Sequence, residues 1–327
     1  MARAVDWESR IGRRLRLRDL HIFFAVLQAG SMARAATNLR VAQPSVSRAI
    51  SELESALGVR LFERTPRGVD LTDYGEALHK CGSAVFDDLR QGIKDIEFLS
   101  DPTRGELRIG CPESVTSSIL PLIIQRFSEK HPRVVFEVDA GSAASALPKL
   151  RERSLDLLVE RFGRGALSSD PNINELNIET LFEDRLVIAV GMNGPWARRR
   201  KIELSELVHE QWILTEPNTW NYAIVAETFR ARGLDMPRIT IKTLSVNLRT
   251  HLLATGKFVA ALPHSILNLH PNRLALKALP IDLPARPWPI VIVTLKNRSV
   301  SPVVKRFVDC ARDVAKALAA QAQALMS

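Results

Sequence analysis

Two short helical patterns lie within residues 31–57, and their spacing limits the fold more than any other feature of the chain. Ser31 is a predicted N-cap for the first helix, and Pro44 lies in the first turn of the second, where its missing N–H has no intrahelical partner. The second helix has one buried face that ends before Gly58: Val46, Ile50, Leu53 and Leu57. Because helices this short need a packing partner, we expect a third helix over residues 17–29, built on Leu20, Phe23, Phe24 and Leu27.

A basic hairpin follows the second helix. Two short strand patterns, residues 61–64 and 69–71, flank the turn Thr65-Pro66-Arg67-Gly68 and have the composition of a wing. Residues 1–67 contain twelve Arg, no Lys and six acids, so they carry +6 of the formal net charge of +9. The polar residues 1–16 are interpreted as a basic N-terminal arm, with a disordered extension as the alternative. This charge favours an anionic partner, but charge alone does not separate nucleic acid from a membrane surface or an acidic metabolite.

A long and narrow apolar stripe comes next. Thr72 is a predicted N-cap for a helix through Leu99, whose apolar residues recur every three or four positions: Leu78, Cys81, Val85, Leu89, Ile93 and Ile96. Such a stripe fits a partner-facing helix better than the wall of one core, with packing on its own domain as the alternative. We therefore assign residues 73–99 to a linker and dimerisation helix and residues 100–105 to a hinge.

Strand and helix patterns alternate from Glu106 to the end of the chain. Their order is typical of βαβ units, which form parallel sheets with right-handed crossovers. The predicted fold is therefore α/β overall: a mostly α winged helix-turn-helix in residues 17–72, joined by the long helix to a two-subdomain α/β domain in residues 106–327. We expect subdomain I at about 106–163 and 265–327, subdomain II at about 164–264, and a cleft where the carboxyl ends of their strands meet.

Residues 20–75 resemble the LysR-type transcriptional regulators. The matching residues stand at family spacing: Leu20-His21-Ile22-Phe23, Gly30-Ser31-Met32-Ala33-Arg34-Ala35-Ala36, Leu39 through Ile50, Leu53-Glu54, Leu57-Gly58, Leu61-Phe62-Glu63-Arg64 and Leu71-Thr72 with Gly75. Residues 106–327 resemble the effector domain of that family, which is similar to type 2 periplasmic binding proteins.

Two residues depart from the family pattern. Met32 stands where an aromatic is frequent, and Ala42 stands where Ser or Thr often caps the recognition helix.

The resemblance implies a double-stranded DNA operator as partner. A helix that enters the major groove needs short polar side chains for base edges and cations for phosphates, and the exposed face of the second helix supplies both. A solvated surface is the alternative interpretation of the same side chains. The predicted DNA-binding residues are Ser31, Arg34, Gln43, Pro44, Ser45, Ser47 and Arg48, with Arg64 or Arg67 as the wing contact in the minor groove.

The resemblance also implies a small-molecule effector in the cleft. Hydroxyl groups where strands run into helices suit such a site, although each is also an ordinary helix cap. The predicted effector residues are Ser114, Thr116, Ser117, Ser142, Thr219, Trp220, Asn221 and Ser245. Helix N-termini favour a carboxylate, whereas Glu113, Glu216 and Trp220 suit a sugar or an amine. Cys111 is interpreted as a buried thiol, with a redox sensor as the alternative.

The sequence argues against several other classes of protein. It contains no G-x-S-x-G, P-loop or G-x-G-x-x-G motif, so we expect no enzyme and no cofactor. Its three cysteines and seven histidines show no metal-ligand spacing. We find no secretion signal and no membrane-spanning stretch, and expect a cytoplasmic protein. The expected partners are operator DNA, a carboxylate or sugar effector, a second copy through residues 74–99, RNA polymerase, and a homotetramer as the larger assembly.

Overall fold

The computed structural model describes residues 15–65, 68–163, 167–269, 275–283, 288–296 and 300–324, without the side chains at 64, 65 and 321–324. Residue contacts divide the chain into two compact units, Met1–Gly92 and Ile93–Ser327. Residues 1–14 of the predicted arm lie outside the described residues. Each unit is described by itself.

The first unit is built on three helices, α1 (Leu17–Ala29), α2 (Met32–Leu39) and α3 (Gln43–Leu57). Phe23, Val46 and Leu53 are fully buried at the centre of its core. Ser31 caps α2 as predicted, because its Oγ accepts the Arg34 N–H at 3.1 Å. Ala42 precedes α3 without a side-chain cap, and Pro44 lies in the first turn. The local residue pattern therefore predicts where both helices begin.

A two-stranded hairpin follows α3. Strands β1 (Phe62–Thr65) and β2 (Gly68–Leu71) pair antiparallel with Phe62 opposite Leu71. Val69 N–H donates to the Gly30 carbonyl at 3.1 Å, which ties the hairpin to the end of α1. A Cβ at position 68 would lie 2.1 Å from that carbonyl oxygen, and Gly68 has a φ of 141°. Glycine is therefore required at this position.

Helix α4 (Asp73–Ser100) begins where Thr72 Oγ1 accepts the Gly75 N–H at 3.1 Å. Within the first unit, it packs on α1 where Gly82 leaves room for the ring of Phe24. Leu78 packs against the core of this unit. Cys81 is exposed, and the later stripe residues Leu89, Ile93 and Ile96 are 45% to 65% exposed. Leu78, at the start of the predicted stripe, thus packs on the first unit, whereas most later stripe positions are exposed.

The second unit contains two five-stranded sheets. The first has the order β4-β3-β5-β12-β6 and consists of β3 (Arg104–Cys111), β4 (Arg133–Ala140), β5 (Leu157–Arg161), β6 (Leu176–Phe182) and β12 (Ile290–Leu295). Strand β3 is parallel to β4 and β5, whereas β12 is antiparallel to β5 and β6. Its helices are α5 (Glu113–Thr116), α6 (Ile119–Lys130), α7 (Ala143–Arg151) and α11 (Pro302–Ala324).

The second sheet has the order β11-β7-β10-β8-β9. Its strands are β7 (Leu186–Gly191), β8 (Trp212–Leu214), β9 (Ile239–Lys242), β10 (Val259–Pro263) and β11 (Leu276–Ala278). Strand β8 is parallel to β9 and β10, and β7 is antiparallel to β10 and β11. Helices α8 (Trp220–Ala231), α9 (Val246–Ala254) and α10 (His264–Leu269) complete it, with 3₁₀ turns at Pro195–Arg198 and Leu204–Leu207. A further 3₁₀ turn, Ile173–Glu175, precedes β6 of the first sheet.

Two features of the second unit differ from the sequence expectation. Strand β6 lies in the segment expected for subdomain II but pairs with β12 of the first sheet, and β11 lies in the segment expected for subdomain I but pairs with β7. The residue pattern predicts one helix from Ser114 to Lys130. In the structure it is broken at Ser118, which has φ −137° and ψ −95°, so that Pro121 falls in the first turn of α6. The first difference arises from strand pairing and the second from a break in a helix, and the spacing of apolar residues reveals neither.

The unequal caps of α2 and α3 give a test. Ser31→Ala removes the hydrogen bond to the Arg34 N–H and should destabilise α2 by about 1 kcal/mol, whereas Ala42→Ser supplies the missing acceptor at α3 and should stabilise it by a similar amount. Amide hydrogen exchange in the intact chain reports each helix separately, and about 1 kcal/mol corresponds to a roughly fivefold change in exchange rate. Unchanged exchange of α3 in Ala42→Ser would contradict this account.

Candidate functional site

The N-terminal half of α3 presents a polar surface. Gln43, Pro44, Ser45 and Arg48 are exposed and Ser47 is half-buried, while Val46, Ala49 and Ile50 face the core. Arg34 on α2 is also exposed, and the half-buried Ser31 caps that helix. The surface thus combines short hydrogen-bonding side chains with two exposed guanidinium groups, as direct contact with a nucleic acid requires.

The two arginines of the wing are Arg64 and Arg67. The backbone of Arg64 lies in β1 opposite Val69, but its side chain is not among the described ones. Arg67 lies outside the described residues altogether. Their role in DNA binding stays a prediction.

The carboxyl ends of the two sheets in the second unit are joined by one acidic side chain. Glu113 follows β3 of the first sheet, and its Oε1 accepts the Asn247 N–H at 2.9 Å and the Ser245 hydroxyl at 3.3 Å. Ser245 is the N-cap of α9, next to the second sheet. An acceptor at a helix N-terminus satisfies free N–H groups and is favoured by the helix dipole. Glu113 therefore occupies the end of α9 across the cleft.

Arg249, on the second turn of α9, is 3% exposed. Its guanidinium donates to the backbone carbonyls of Leu244, Ser245 and Ala261. Burial lowers the pKa of Arg249 to about 10, and the negative charge of Glu113 opposes that shift. The negative charge of Glu113 therefore favours the protonated form of Arg249.

A buried ion pair lies beside this contact. Arg161, at the end of β5, donates from Nη1 to Asp184 Oδ2 at 2.7 Å, and both side chains are 3% exposed. Asp184 Oδ2 also accepts the Ser265 hydroxyl at 2.6 Å, and Arg161 Nη2 donates to that hydroxyl at 3.2 Å. Arg161 Nε donates to Ser114 Oγ at 3.1 Å. Burial lowers the pKa of Arg161, whereas the Asp184 carboxylate opposes this and keeps the guanidinium charged.

Two tryptophans pack next to this ion pair. The centroid of the Trp288 ring lies 5.3 Å from the guanidinium carbon of Arg161. The ring centroids of Trp220 and Trp288 are 4.1 Å apart, and the two ring planes meet at 39°. A Cβ at Gly163 would lie 2.5 Å from Trp288 Nε1, so this close approach requires glycine. The aromatic pair joins β5 of the first sheet to the start of α8.

Two buried acceptors in this region have no hydrogen-bond partner among the described residues. They are Glu160 Oε1 and Asn221 Oδ1, in side chains of residues that are 5% and 8% exposed. The other oxygen of Glu160 accepts the Arg161 N–H at 3.0 Å. Burial raises the pKa of Glu160 to about 7, against the opposing effects of that hydrogen bond and the Arg161 charge. Buried polar atoms without partners are uncommon in folded proteins and call for an explanation.

The structure brings together some of the predicted effector residues and leaves others apart. Ser114 joins the Arg161 network, Ser245 contacts Glu113, and Trp220 contacts Trp288. Asn221 is buried beside Trp220. The remaining side chains have local surroundings: Thr116 donates to the Glu113 carbonyl, Ser142 caps α7, Thr219 caps α8, and Ser117 is half-buried at the end of α5.

Several residues of this site were not predicted, namely Glu160, Arg161, Asp184, Arg249, Ser265 and Trp288. One signal was available in the sequence. The strand Leu157–Arg161 is apolar up to its last two residues, which are charged, and all five are buried. A charged pair that ends an otherwise apolar strand indicates a functional position, because buried charges are costly unless they are paired.

Cys111 lies at the end of β3 and is fully buried. Burial raises the pKa of its thiol to about 12, so almost no thiolate forms at neutral pH. Since the thiolate is the reactive form, this environment disfavours the redox-sensor interpretation. In the part of the chain that the structure describes, no group of three His, Cys, Asp or Glu side chains is arranged to hold a metal, and no helix is long and apolar enough to span a membrane.

Comparison with known proteins decides the family. The model described as "LysR substrate binding domain" matches residues 100–316, and that described as "Bacterial regulatory helix-turn-helix protein, lysR family" matches residues 17–76. The chain belongs to the LysR family of transcriptional regulators. It therefore combines a helix-turn-helix DNA-binding domain with an effector-binding domain, and its family comprises regulators rather than enzymes.

Individual relatives agree with this assignment. The transcriptional dual regulator GltC of Bacillus subtilis is 28% identical over 294 residues, which cover 90% of this chain and 95% of that protein. TdcA of Escherichia coli is 27% identical over 244 residues, or 75% of this chain and 76% of that protein. Among solved structures, the LysR-family regulator CbnR has a similar fold, with a TM-score of 0.52 and 23% identity over 91% of this chain and 100% of CbnR.

The raised pKa of Glu160 makes a prediction about stability. The folded chain holds the Glu160 proton more tightly than the unfolded chain, so this group lowers the free energy of unfolding as the pH rises from about 4.5 to about 7. Glu160→Gln lacks this penalty. The two proteins should therefore differ increasingly in their free energy of unfolding as the pH rises. The value for Glu160→Gln minus the value for the wild type should grow by up to about 3 kcal/mol between pH 4.5 and pH 8.

Denaturation of the two proteins at several pH values measures this difference, and groups that titrate equally in both cancel from it. Glu227→Gln is the matched control, because Glu227 is an exposed acid on α8. Stability curves that run parallel for the wild type and Glu160→Gln would show that Glu160 is not held in an unfavourable environment.

Proposed function

We propose that this LysR-family regulator binds its operator as a homodimer through α3 and the wing, and that a small molecule in the cleft of its second unit modulates this binding. The observation that carries the proposal is the presence, in one chain, of an exposed polar recognition surface and a second unit with buried polar atoms that lack a partner among the described residues. The related regulator CbnR has been solved in complex with its target DNA, at 23% identity and a TM-score of 0.51.

On the DNA, the proposed base and backbone contacts come from Gln43, Pro44, Ser45, Ser47 and Arg48 of α3. Ser31 and Arg34 extend this surface at α2, and Arg64 or Arg67 enters the minor groove. The exposure of Arg34, Gln43, Ser45 and Arg48 supports this assignment. A single helix reads only a few base pairs, so two copies on a pseudo-palindrome supply the affinity and the specificity.

In the cleft, the proposed effector contacts come from Ser114, Thr116, Ser117, Ser142, Thr219, Trp220, Asn221 and Ser245. The links from Ser114 to Arg161 and from Trp220 to Trp288 support a common site. In this scheme the protein acts in the cytoplasm, does not catalyse a reaction, and transmits its state to RNA polymerase from the operator.

The DNA contact of Arg48 can be tested by the salt dependence of binding. Arg48→Ala should weaken binding to the intergenic DNA beside the gene, and should reduce the slope of log affinity against log salt concentration by about 1, because one phosphate contact is lost. Arg126→Ala removes an exposed arginine from the second unit and serves as the control. A mutant slope equal to that of the wild type would exclude a phosphate contact by Arg48.

The dimer can be tested on α4. Ile93 and Ile96 are 59% and 65% exposed, so Ile93→Glu with Ile96→Glu should leave the fold intact and prevent pairing through this stripe. Light scattering should then give the mass of one protomer, and operator affinity should fall at least about tenfold. Glu97→Gln, at an exposed neighbouring position, should change neither result.

A dimeric mass for the double mutant would place the interface elsewhere. A wild-type mass of four protomers would show a second interface and establish the tetramer. Footprinting of the same intergenic DNA with and without candidate metabolites tests the whole proposal, since an unprotected DNA would exclude it as the operator.

A further inference from the structure

A cavity of about 300 Å³ lies between α11 and two strands of the first sheet. It is lined mainly by residues of β6, of β12 and of the first half of α11. Ile292 and Val308 give it an apolar floor, and both side chains are buried. Ligand pockets in proteins start at about 300 Å³, so this cavity has room for a small molecule.

The cavity is separate from the proposed effector cleft. Strand β12 runs antiparallel to β5, and its Ile290 stands opposite Arg161 at the end of β5, beside the cleft. Its Val293 stands opposite Leu158, near the start of β5. Thr294 follows Val293 and lines the cavity. The cavity therefore reaches the edge of the sheet that is remote from the cleft.

Two side chains with hydrogen-bonding groups line the cavity and lack a partner among the described residues. Thr294 is 6% exposed and lies on the same face of β12 as Ile292, which is the face packed by α11. Asn177 stands opposite Thr294 in the β6–β12 pair. A buried hydroxyl without a partner is uncommon in folded proteins. Here the hydroxyl and the neighbouring amide are both available to donate to a ligand in the cavity.

The charged side chains of the lining differ in how they are matched. Arg312 Nη2 donates to Glu179 Oε2 at 2.7 Å, and Arg312 also pairs with Asp309. The Arg312 guanidinium lowers the pKa of Glu179, which keeps that carboxylate ionised. The Lys305 ammonium, in contrast, has no ion-pair or hydrogen-bond partner in the described part of the chain. Lys305 therefore brings a positive charge to the cavity that a ligand can match.

The Lys305 charge lies at the end of the cavity that holds the two donors. Lys305 ends the first turn of α11, and Arg312 lies two turns later, about 10 Å further along the axis. Because α11 is the next element after β12 and lines the same cavity, its first turn lies near the end of β12, at Thr294. Glu179, which holds Arg312, stands opposite Ile292, further back on β12. The ion pair thus closes one end of the cavity, and the other end combines a cation with two donors.

We propose that this cavity is a second small-molecule site, which takes a carboxylate that carries a short apolar chain. The carboxylate pairs with Lys305 Nζ and accepts hydrogen bonds from Thr294 Oγ1 and the Asn177 amide. The apolar chain lies on Ile292 and Val308. An amine would be repelled by Lys305, and an alcohol would leave that charge unmatched. This site is additional to the effector cleft of the proposed function, so either can fail without the other.

The test compares three six-carbon probes that differ in charge: hexanoate, hexan-1-ol and hexan-1-amine. Each is titrated to about 50 mM into the full-length chain at pH 7.5 and constant ionic strength, and saturation-transfer NMR of its protons gives the dissociation constant. At this pH the acid is ionised and the amine is protonated. Hexanoate should bind saturably, and the other two should bind at least about fivefold more weakly, because they lack the pairing with Lys305.

Three variants locate the binding. Lys305→Met removes the charge at an exposed position and should weaken hexanoate binding about fivefold. Thr294→Val keeps the shape of the side chain and should weaken binding about tenfold, because a hydrogen bond to a charged group is lost. Lys316→Met removes another exposed lysine of α11 and should bind hexanoate as the wild type does. Melting of each unliganded variant shows that it is folded.

Several results would overturn the proposal. Equal hexanoate affinities of the wild type and Lys305→Met would place the carboxylate at another site, the cleft included. An unchanged affinity in Thr294→Val, tighter binding of the alcohol or the amine, or no binding of hexanoate to the wild type would also exclude the site. Retardation of the intergenic DNA by the same protein reports on the proposed operator and does not depend on these results.

Discussion

The buried ion pair between Arg161 and Asp184 is the interaction on which the arrangement of the cleft depends. Both side chains are 3% exposed, so neither charge is stabilised by bulk water, and loss of either partner would leave the other uncompensated. Removal of such a partner typically costs about 3 to 5 kcal/mol, even where the pair itself contributes little net stability. In this structure the ion pair sets the positions of chain segments. Arg161 ends β5, Asp184 lies in the connection between β6 and β7, and Ser265 lies in α10, so one guanidinium fixes three segments that are distant in sequence.

Strand β5 also carries Glu160, whose environment is the opposite of that of Arg161. Glu160 and Arg161 are neighbours on β5 and therefore face opposite sides of the sheet. On one side the charge of Arg161 is matched by Asp184, and on the other Glu160 retains an oxygen without a partner among the described residues. A chain selected only for stability would replace this carboxylate by an apolar or amide side chain. The adjacent residues therefore differ in that the charge of Arg161 is matched by a carboxylate, whereas one oxygen of Glu160 has no partner among the described residues.

The DNA-binding unit was predictable from the sequence to within a few residues, whereas the cleft was predictable only in part. Ser31, Pro44 and Gly58 mark helix ends through local hydrogen bonds and backbone preferences, which the sequence carries directly. The place of β6 in the first sheet does not follow from local residues, because it depends on pairing with β12, more than 100 residues later in the chain. The link between Glu113 and Asn247 was missed for the same reason, since nothing in the local pattern of residues 111–118 indicates a partner 134 residues away.

An effector changes a regulator only if it binds the alternative states with different free energies. Glu160 provides a source for that difference. Its burial raises the pKa from 4.5 to about 7, which corresponds to about 3 kcal/mol of unfavourable environment for the charged form. Any interaction that compensates the charged form of Glu160 would offset this cost only in a state in which Glu160 is shielded from water. Coupling energies in allosteric proteins are typically about 1 to 3 kcal/mol, so one compensated carboxylate is of the size that such a switch requires.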